Sequence, residues 1–327
     1  FFPNSTILVP MIIIDHDILR TISDNNQLSI GIDRKILIAV DEVHRGKNVS
    51  RNDTQFDVIY YSSGLAKNKR DYWIFTMEDG TKRAMLPFPL QSSSLIFIPA
   101  DIPTFLKDWQ SARFIECMGT LKRNETELAK RVIPLSFLSH MAALRDDIKD
   151  RGARLMLSGG SLLGWYRECS LIPHTTDIDF FIRAEEYNPE IKTYLDSPNS
   201  PYKLFRIYGT PTDSYELSLT IKKVPKVNID LFFLYTDEKE SFVGGLAWYT
   251  RQKYKWSYPR ITEVCTADLV GRLFYVPCNT KEVLDMEYGQ WSQDASSNSF
   301  VWYKSHKNVK ENGFFSKEEM KGMRAFG

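Results

Sequence analysis

Two aspartates one residue apart, Asp177-Ile178-Asp179, enter a run that continues as Phe180-Phe181-Ile182. On a strand, residues two apart share a face, so both carboxylates point one way while Ile178 and Phe180 point the other. Two carboxylates in an apolar strand are costly unless something pairs them. A divalent cation is a natural partner, and Mg²⁺ takes one or two carboxylates together with substrate phosphates. An isolated Asp-x-Asp is more often a solvated strand end, so this pair carries weight only in company. Company is present. Asp230 is a lone carboxylate within Val227-Asn228-Ile229-Asp230-Leu231-Phe232-Phe233. Ser158-Gly159-Gly160-Ser161 falls between a strand-like and a helix-like stretch. Glycines there let backbone N–H groups approach a ligand, and a helix N-terminus favours an anion. If the Asp230 strand neighbours the Asp177 strand, three carboxylates gather beside a glycine turn. The chemistry is then metal-dependent phosphate chemistry, with a nucleotide phosphate at the turn and an oxygen nucleophile.

The elements that would position these groups are legible around them. Leu128, Val132, Leu135, Leu138, Met141, Leu144 and Ile148 recur every three or four residues. That spacing predicts an amphipathic helix over 125–151, capped by Asn124 or Thr126, ended by Gly152, and kinked or broken at Pro134. A strand at 154–157, a helix at 161–168 and a strand at 177–182 follow. Next come a helix at 185–196 and strands at 202–208, 215–221 and 227–235. Residues 1–120 read differently, as short apolar runs between polar turns: 7–14, 35–40, 56–61, 72–77 and 95–98. Asp79-Gly80 marks a hairpin between 73–77 and 83–86. No helical period is sustained there before about Phe105. Asp15, His16 and Asp17 read as a charged turn after a strand. The chain thus divides into a mostly β unit, 1–120, and a mixed α and β unit, 121–327.

Composition narrows the class. The 327 residues are 43% hydrophobic and 25% charged, with a formal net charge of +1. This is globular composition, and it lacks the basic excess that duplex binding through phosphates demands, so a nucleic-acid partner is disfavoured. No stretch approaches the roughly 20 apolar residues that span a bilayer. The sequence begins at Phe1 rather than Met, so a targeting segment is expected to have been removed. Asn-x-Ser/Thr sequons at Asn4, Asn48, Asn52 and Asn124 lean toward a secretory-pathway lumen. The four cysteines, Cys117, Cys169, Cys265 and Cys278, form no Cys-x-x-Cys pair, so spacing gives no support to structural zinc. In an oxidising lumen, Cys265 and Cys278 would close a small loop around a strand-like stretch; otherwise four buried thiols remain. The pairing of Cys117 and Cys169 is left open.

In order, Ser158-Gly159-Gly160-Ser161-Leu162-Leu163-Gly164-Trp165-Tyr166-Arg167, Ile172-Pro173 and Asp177-Ile178-Asp179 resemble the core motif of the LicD family, closest to its fukutin-like branch. The resemblance covers about residues 150–300. It takes in Asn228 to Phe233, Lys253-Tyr254-Lys255 with Pro259, the segment from Cys265 to Cys278, and Tyr288-Gly289. It implies a nucleotidyltransferase-like (polymerase-β type) α+β fold. It also implies transfer of a phospho-alcohol, ribitol 5-phosphate or phosphocholine, from a CDP-linked donor to a glycan acceptor. Carried onto this chain, Asp177, Asp179 and Asp230 are expected metal ligands for Mg²⁺ or Mn²⁺, with Asp230 also a base toward the acceptor hydroxyl. Gly159, Gly160 and Ser161 form the expected donor-phosphate turn. The resemblance further implies a Golgi or ER lumenal protein of type II topology and complexes with related transferases. One departure is the run Pro173-His174-Thr175-Thr176, where many family members carry a Trp and extra acids. Another is the absence of a cysteine-rich insert between Asp179 and Asp230.

Further residues belong to the expected site. Arg167 could reach a phosphate bidentately. Arg251, Lys253 and Lys255 would share a basic strand face opposite Tyr254, Trp256 and Tyr258. Trp165 and Tyr166 could stack on a base or cage a choline, although aromatics after a glycine turn are more often core. His174 could serve as an acid or base. Two rival readings stay open. One is an Asp-x-Asp glycosyltransferase using a UDP-sugar, which would not need Asp230 or the glycine turn. The other is a non-catalytic glycan-binding partner of a related transferase, against which the three retained carboxylates argue.

Overall fold

A computed structural model describes residues 9–25, 35–47, 56–63, 70–93, 95–293 and 301–325. The chain forms two compact units, Phe1–Ile115 and Glu116–Gly327. In the first, the described residues form a seven-stranded mixed sheet. Its strands are β1 (Met11–Ile13), β2 (Ile36–Asp41), β3 (Phe56–Ser62), β4 (Trp73–Thr76), β5 (Lys82–Met85), β6 (Leu90–Ser93) and β7 (Ile96–Pro99), in the order β5-β4-β3-β2-β1-β7-β6. Asp79-Gly80 does turn an antiparallel hairpin, β4 to β5, with Gly80 at φ 80°. Two helices accompany the sheet, α1 (His16–Asn25) and α2 (Ile102–Gln110). The first corrects the expected turn at 15–17. Asp15 is buried and its carboxylate accepts the N–H of Ile18 and of Leu37, so it starts a helix and ties it to the neighbouring strand. The helix is too short for its period to stand out, yet Ile18, Leu19 and Ile22 pack it on the core with Ile14, Ile38 and Phe105.

The second unit opens with α3 (Glu125–Ala129), where Asn124 and Glu127 form a capping box. Of the kink or break expected at Pro134 within 125–151, the structure shows the break, and the stretch is two helices. Pro134 is extended (ψ 147°), a 3-10 turn spans Leu135–Phe137, and α4 runs Leu138–Lys149. Leu128, Val132 and Leu135 are exposed, so the apolar stripe is buried only from Phe137 onward. The sheet elements are β8 (Met156–Leu157), β9 (Asp177–Arg183), β10 (Tyr202–Thr210), β11 (Asp213–Ile221), β12 (Asn228–Thr236), β13 (Ser241–Ala247), β14 (Gln252–Tyr258), β15 (Val264–Leu269), β16 (Arg272–Pro277) and β17 (Val309–Phe314). A short β18 (Arg324–Ala325) flanks β10. The helices are α5 (Gly159–Glu168), α6 (Pro189–Asp196), α7 (Thr280–Tyr288) and α8 (Trp302–Ser305). The helix expected at 185–196 begins only at Pro189, after a 3-10 turn.

The main path is β15-β16-β8-β9-β12-β11-β10-β18, with β13, β14 and β17 branching from β12. The fold is α+β with a mixed sheet, as the sequence implied. Parallel pairing of β9 with β12 places Asp177, Asp179 and Phe181 beside Asn228, Asp230 and Phe232 in turn. The alternate residues, Ile178, Phe180, Ile182, Ile229, Leu231 and Phe233, are all but fully buried on the other face. Two disulfides brace the unit. Cys265–Cys278 closes the β15–β16 hairpin, and Cys117–Cys169 ties the first residues of the unit to the end of α5. Among the sequons, Asn124 is exposed on its cap; Asn4, Asn48 and Asn52 lie outside the described residues.

Candidate active site

The cavity that matters here has a volume of 830 Å³, and the aspartate-bearing sheet face forms one wall. Register builds that wall in rows. One row runs Asp179, Asp230, Ser218, Arg206 across β9, β12, β11 and β10. The next runs Phe181, Phe232, Glu216, Tyr208 across the same strands. Asp177 and Asn228 lie side by side one step before them. One carboxylate oxygen from each of Asp177, Asp179 and Asp230 falls within 4.8 Å of the others. The sequence separated these groups by up to 53 positions; the parallel pairing brings them together.

The glycine turn meets the same point. Ser158 precedes α5 and donates its N–H to the carbonyl of Asp179 at 3.1 Å. Ser161 accepts the Asp179 N–H on its Oγ, also at 3.1 Å. The Asp179 backbone is therefore gripped from both sides by the turn. Gly159 has φ 48°, and a Cβ there would lie 2.8 Å from Oδ2 of Asp179. Glycine is needed on both counts. Gly159 and Gly160 line the cavity; Ser161 is buried and serves as an anchor for Asp179.

The electrostatics are lopsided. Asp230 accepts a hydrogen bond from Nη2 of Arg206 at 2.9 Å. Arg206 also donates from Nε to Ser218 Oγ at 2.7 Å and stands 3.3 Å from Glu216. Burial opposes the Arg206 charge, but Glu216 and Asp230 more than offset it and hold the guanidinium ionised. Burial lifts Glu216 to about 7 despite that arginine. Thr175 Oγ1 gives Asp177 a long hydrogen bond, at 3.4 Å. Among the described residues, none donates to the Asp179 carboxylate. Burial, then the charges of Asp177 and Asp230, push the Asp179 carboxyl well above the usual range; burial and Asp230 raise Asp177 likewise. Three hard oxygen donors, with Asp179 lacking a protein donor, fit a divalent cation such as Mg²⁺ or Mn²⁺.

Other expected residues are placed elsewhere. Arg167 borders the cavity, but it is buried against Glu168 at 2.6 Å and donates to the carbonyls of Trp291 and Gln293. Its guanidinium anchors the segment after α7 to α5. Trp165 is fully buried core, and Tyr166 packs on Trp291; neither lines the cavity. The expected basic face of β14 is neutralised. Lys253 bonds Asp213, Lys255 bonds Glu240, and Arg251, in a turn at φ 60°, donates to the Phe315 carbonyl. None of the three lines the cavity. His174 is exposed at its rim.

The structure adds residues that sequence reasoning passed over. Arg206, Tyr208 and Glu216 come from β10 and β11, Glu287 from α7, Trp302 from α8 and His306 from the residue after it; Trp256 and Tyr258 of β14 and Tyr288 of α7, which the sequence places only on a strand face and in a packing element, line it too. A signal for Glu216 existed, since Ser214, Glu216 and Ser218 alternate with Tyr215, Leu217 and Leu219. Glu287 is 2% exposed, and burial raises it to about 8; its Oε1 stands 3.6 Å from His306 Nε2. Burial lowers His306 to about 4, so at neutral pH the two form an uncharged pair.

A glycine turn opening a helix, two aspartates on the following strand and a third on its parallel neighbour define a nucleotidyltransferase-type site. Residues 152–279 match the LicD/FKTN/FKRP nucleotidyltransferase domain, and residues 1–116 match the W02B3.4-like amino-terminal domain. The Caenorhabditis elegans proteins W02B3.4 and T07A5.1 are 34% and 36% identical to this chain. Those matches cover 98% and 97% of the chain and 83% and 84% of the relatives. Mouse ribitol-5-phosphate transferase FKTN is 30% identical over 67% of the chain and 48% of its own length. The chain belongs to the LicD family, on its fukutin-like side.

Proposed function

We propose that this chain transfers a phospho-alcohol from a CDP-linked donor to a hydroxyl of a glycan on a glycoprotein or glycolipid. Ribitol 5-phosphate is preferred over phosphocholine because the FKTN relatives are ribitol-5-phosphate transferases by name. The observation that carries the reading is the convergence of Asp177, Asp179 and Asp230 on one point beside the N-terminus of α5. Asp177, Asp179 and Asp230 would hold Mg²⁺ or Mn²⁺, which supplies charge neutralisation and orientation at the transferred phosphoryl group.

The chain's own groups do the rest. The N–H groups of residues 159–161 precede the first intrahelical bond of α5, Leu162 N–H to Ser158 C=O, and suit a donor phosphate. Arg206 fixes Asp230 in place. The acceptor oxygen forms a bond to the phosphorus that bears the alcohol, the bond from that phosphorus to the CMP oxygen breaks, and the hydroxyl proton passes to Asp230. CMP is the leaving group. Rigid placement on paired strands contributes by orientation. The two disulfides suit an oxidising compartment, so we assign the protein to the Golgi or ER lumen; related transferases are proposed as partners from the family resemblance alone.

The test is CMP release from CDP-ribitol, CDP-choline and CDP-glycerol with Mn²⁺ and a glycan acceptor, comparing wild type with Asp179→Ala. Loss of turnover with an intact fold is expected. Full activity in the variant would sink the assignment, and turnover of UDP-sugars instead would make this a glycosyltransferase. Failure of wild type on every donor would favour a non-catalytic glycan-binding role.

A further inference from the structure

Trp302 on α8 and Trp256 on β14 stack in the wall of the cavity, with ring centroids 5.5 Å apart and planes inclined by 24°. Trp256 is 6% exposed, whereas Trp302 is 42% exposed. The pair is held firmly. Tyr254 meets the Trp302 ring edge-on at 5.5 Å, and Trp256 Nε1 donates to His306 Nδ1 at 2.9 Å. Gly245 makes room beneath. A Cβ there would lie 2.7 Å from the Trp256 ring and 3.7 Å from that of Trp302. The result is a preorganised aromatic surface left open toward the cavity, which forgoes the apolar burial an indole could otherwise gain.

We infer that Trp302 is the platform for the pyranose ring of the acceptor. This rests on the transferase reading for its place in the reaction, although sugar binding can be measured without it. Trp256 covers one side of Trp302, so the platform is one-sided. A pyranose suits this, because one flat face of polarised C–H bonds packs on the negative face of a single indole while its hydroxyls point outward. Ser305 supplies a polar rim: its Oγ accepts the Val301 N–H at 2.8 Å, which leaves its hydrogen to donate. A pyrimidine needs paired donors and acceptors at its edge. The cavity's glutamine amides, Gln290 and Gln293, belong instead to the segment that Arg167 anchors to α5, the helix that carries the glycine turn. The nucleotide half of the donor is thereby assigned to the α5 wall and the acceptor to the β14–α8 wall. Such a division gives nucleophile and leaving group separate approaches to phosphorus, as in-line displacement requires.

The experiment uses the full chain and two kinds of probe. The first is a set of methyl glycosides of galactose, N-acetylgalactosamine, N-acetylglucosamine and glucose, followed by saturation-transfer NMR and tryptophan fluorescence. The second is CMP with Mn²⁺. Wild type is expected to engage the ring protons of at least one glycoside. Trp302→Ala should weaken that binding about tenfold or more, and Trp302→Phe by no more than about threefold, with CMP binding unchanged in both. Near-ultraviolet circular dichroism checks the fold of each variant. Absence of glycoside binding in wild type, or a Trp302→Ala variant that loses CMP instead, overturns the inference. Asp179→Ala separates the two readings. It should abolish transfer and spare glycoside binding, so turnover that survives it sinks the transferase alone. Turnover of a CDP-alcohol without any Trp302-dependent sugar binding sinks the platform alone.

Discussion

The Arg206 guanidinium reaches across β11 to donate a hydrogen bond to Asp230, Nη2 to Oδ1 at 2.9 Å, and so sets a cation beside the three clustered carboxylates. Asp179 and Asp230 lie directly opposite each other on paired strands, an arrangement that like charges disfavour. Arg206 relieves one member of the pair; among the described residues, none donates to the carboxylate of the other, Asp179.

Arg206→Ala should therefore cost activity out of proportion to stability. Leaving Asp230 buried with its partner removed is expected to lower CMP release from the donor by about 10²-fold or more. Arg206→Lys should recover part of it, because a lysine restores the charge but not the fork that also holds Ser218. Steady-state turnover with a parallel melting curve checks this. Equal activity in all three proteins would remove Arg206 from the site.

Relief of repulsion gives the Asp179 prediction. In metal-free buffer Asp179→Asn should be more stable than wild type by about 1 kcal/mol, some 2–4 °C in melting temperature. Mn²⁺ is expected to raise the melting temperature of wild type, and the same variant should lose that rise. Calorimetry with and without Mn²⁺ measures both. An equal metal response in the two proteins would show that Asp179 is not a ligand.

The two adjacent glycines should behave differently. Gly159→Ala forces a side chain into a left-handed residue and against Oδ2 of Asp179, at an expected cost of about 1–3 kcal/mol together with loss of turnover. A Cβ on Gly160 meets nothing closer than Thr175 Oγ1 at 3.8 Å, so Gly160→Ala should fold normally. Urea titrations of the pair test this, and equal stability would contradict the assigned turn geometry.

Glu287 carries a pH signature. Burial raises its carboxyl to about 8, against roughly 4.3 in an unfolded chain. Between those values the folded state holds a proton that the unfolded state has released. Its contribution to stability is therefore fully present below about pH 4 and is lost as pH rises through about 8. Glu287→Gln cannot titrate. Relative to wild type it should gain on the order of 4 kcal/mol of stability as pH goes from 5 to 9, read from denaturation at several pH values. A pH-independent difference would mean that Glu287 is ionised throughout.

Local patterns in the sequence determined much of this. Alternation with period two placed Asp177 and Asp179 on one face, and glycines between strand and helix marked the turn. The small loop closed by Cys265 and Cys278, the break at Pro134 and a cap at Asn124 are among the readings that neighbouring residues offer; that the Cys265–Cys278 loop is a two-stranded hairpin is not. Long-range register determined the rest. Arg206 shows why. Leu204 pairs with Leu219, but Arg206 pairs with Ser218, because a bulge between them sets two residues of β10 against one of β11. Simple alternation would put Leu204 and Arg206 on the same face; the bulge turns the arginine to the cavity and keeps the leucine with the core. Lys253 and Lys255 are paired away from the cavity for a related reason. Their alternation on β14 was legible, but Asp213 and Glu240, which neutralise them, are 40 and 15 positions away. The sequence by itself determined which residues share a strand face. Only the tertiary structure decided which faces meet, because hydrogen-bond register and bulges are settled between strands distant in the chain.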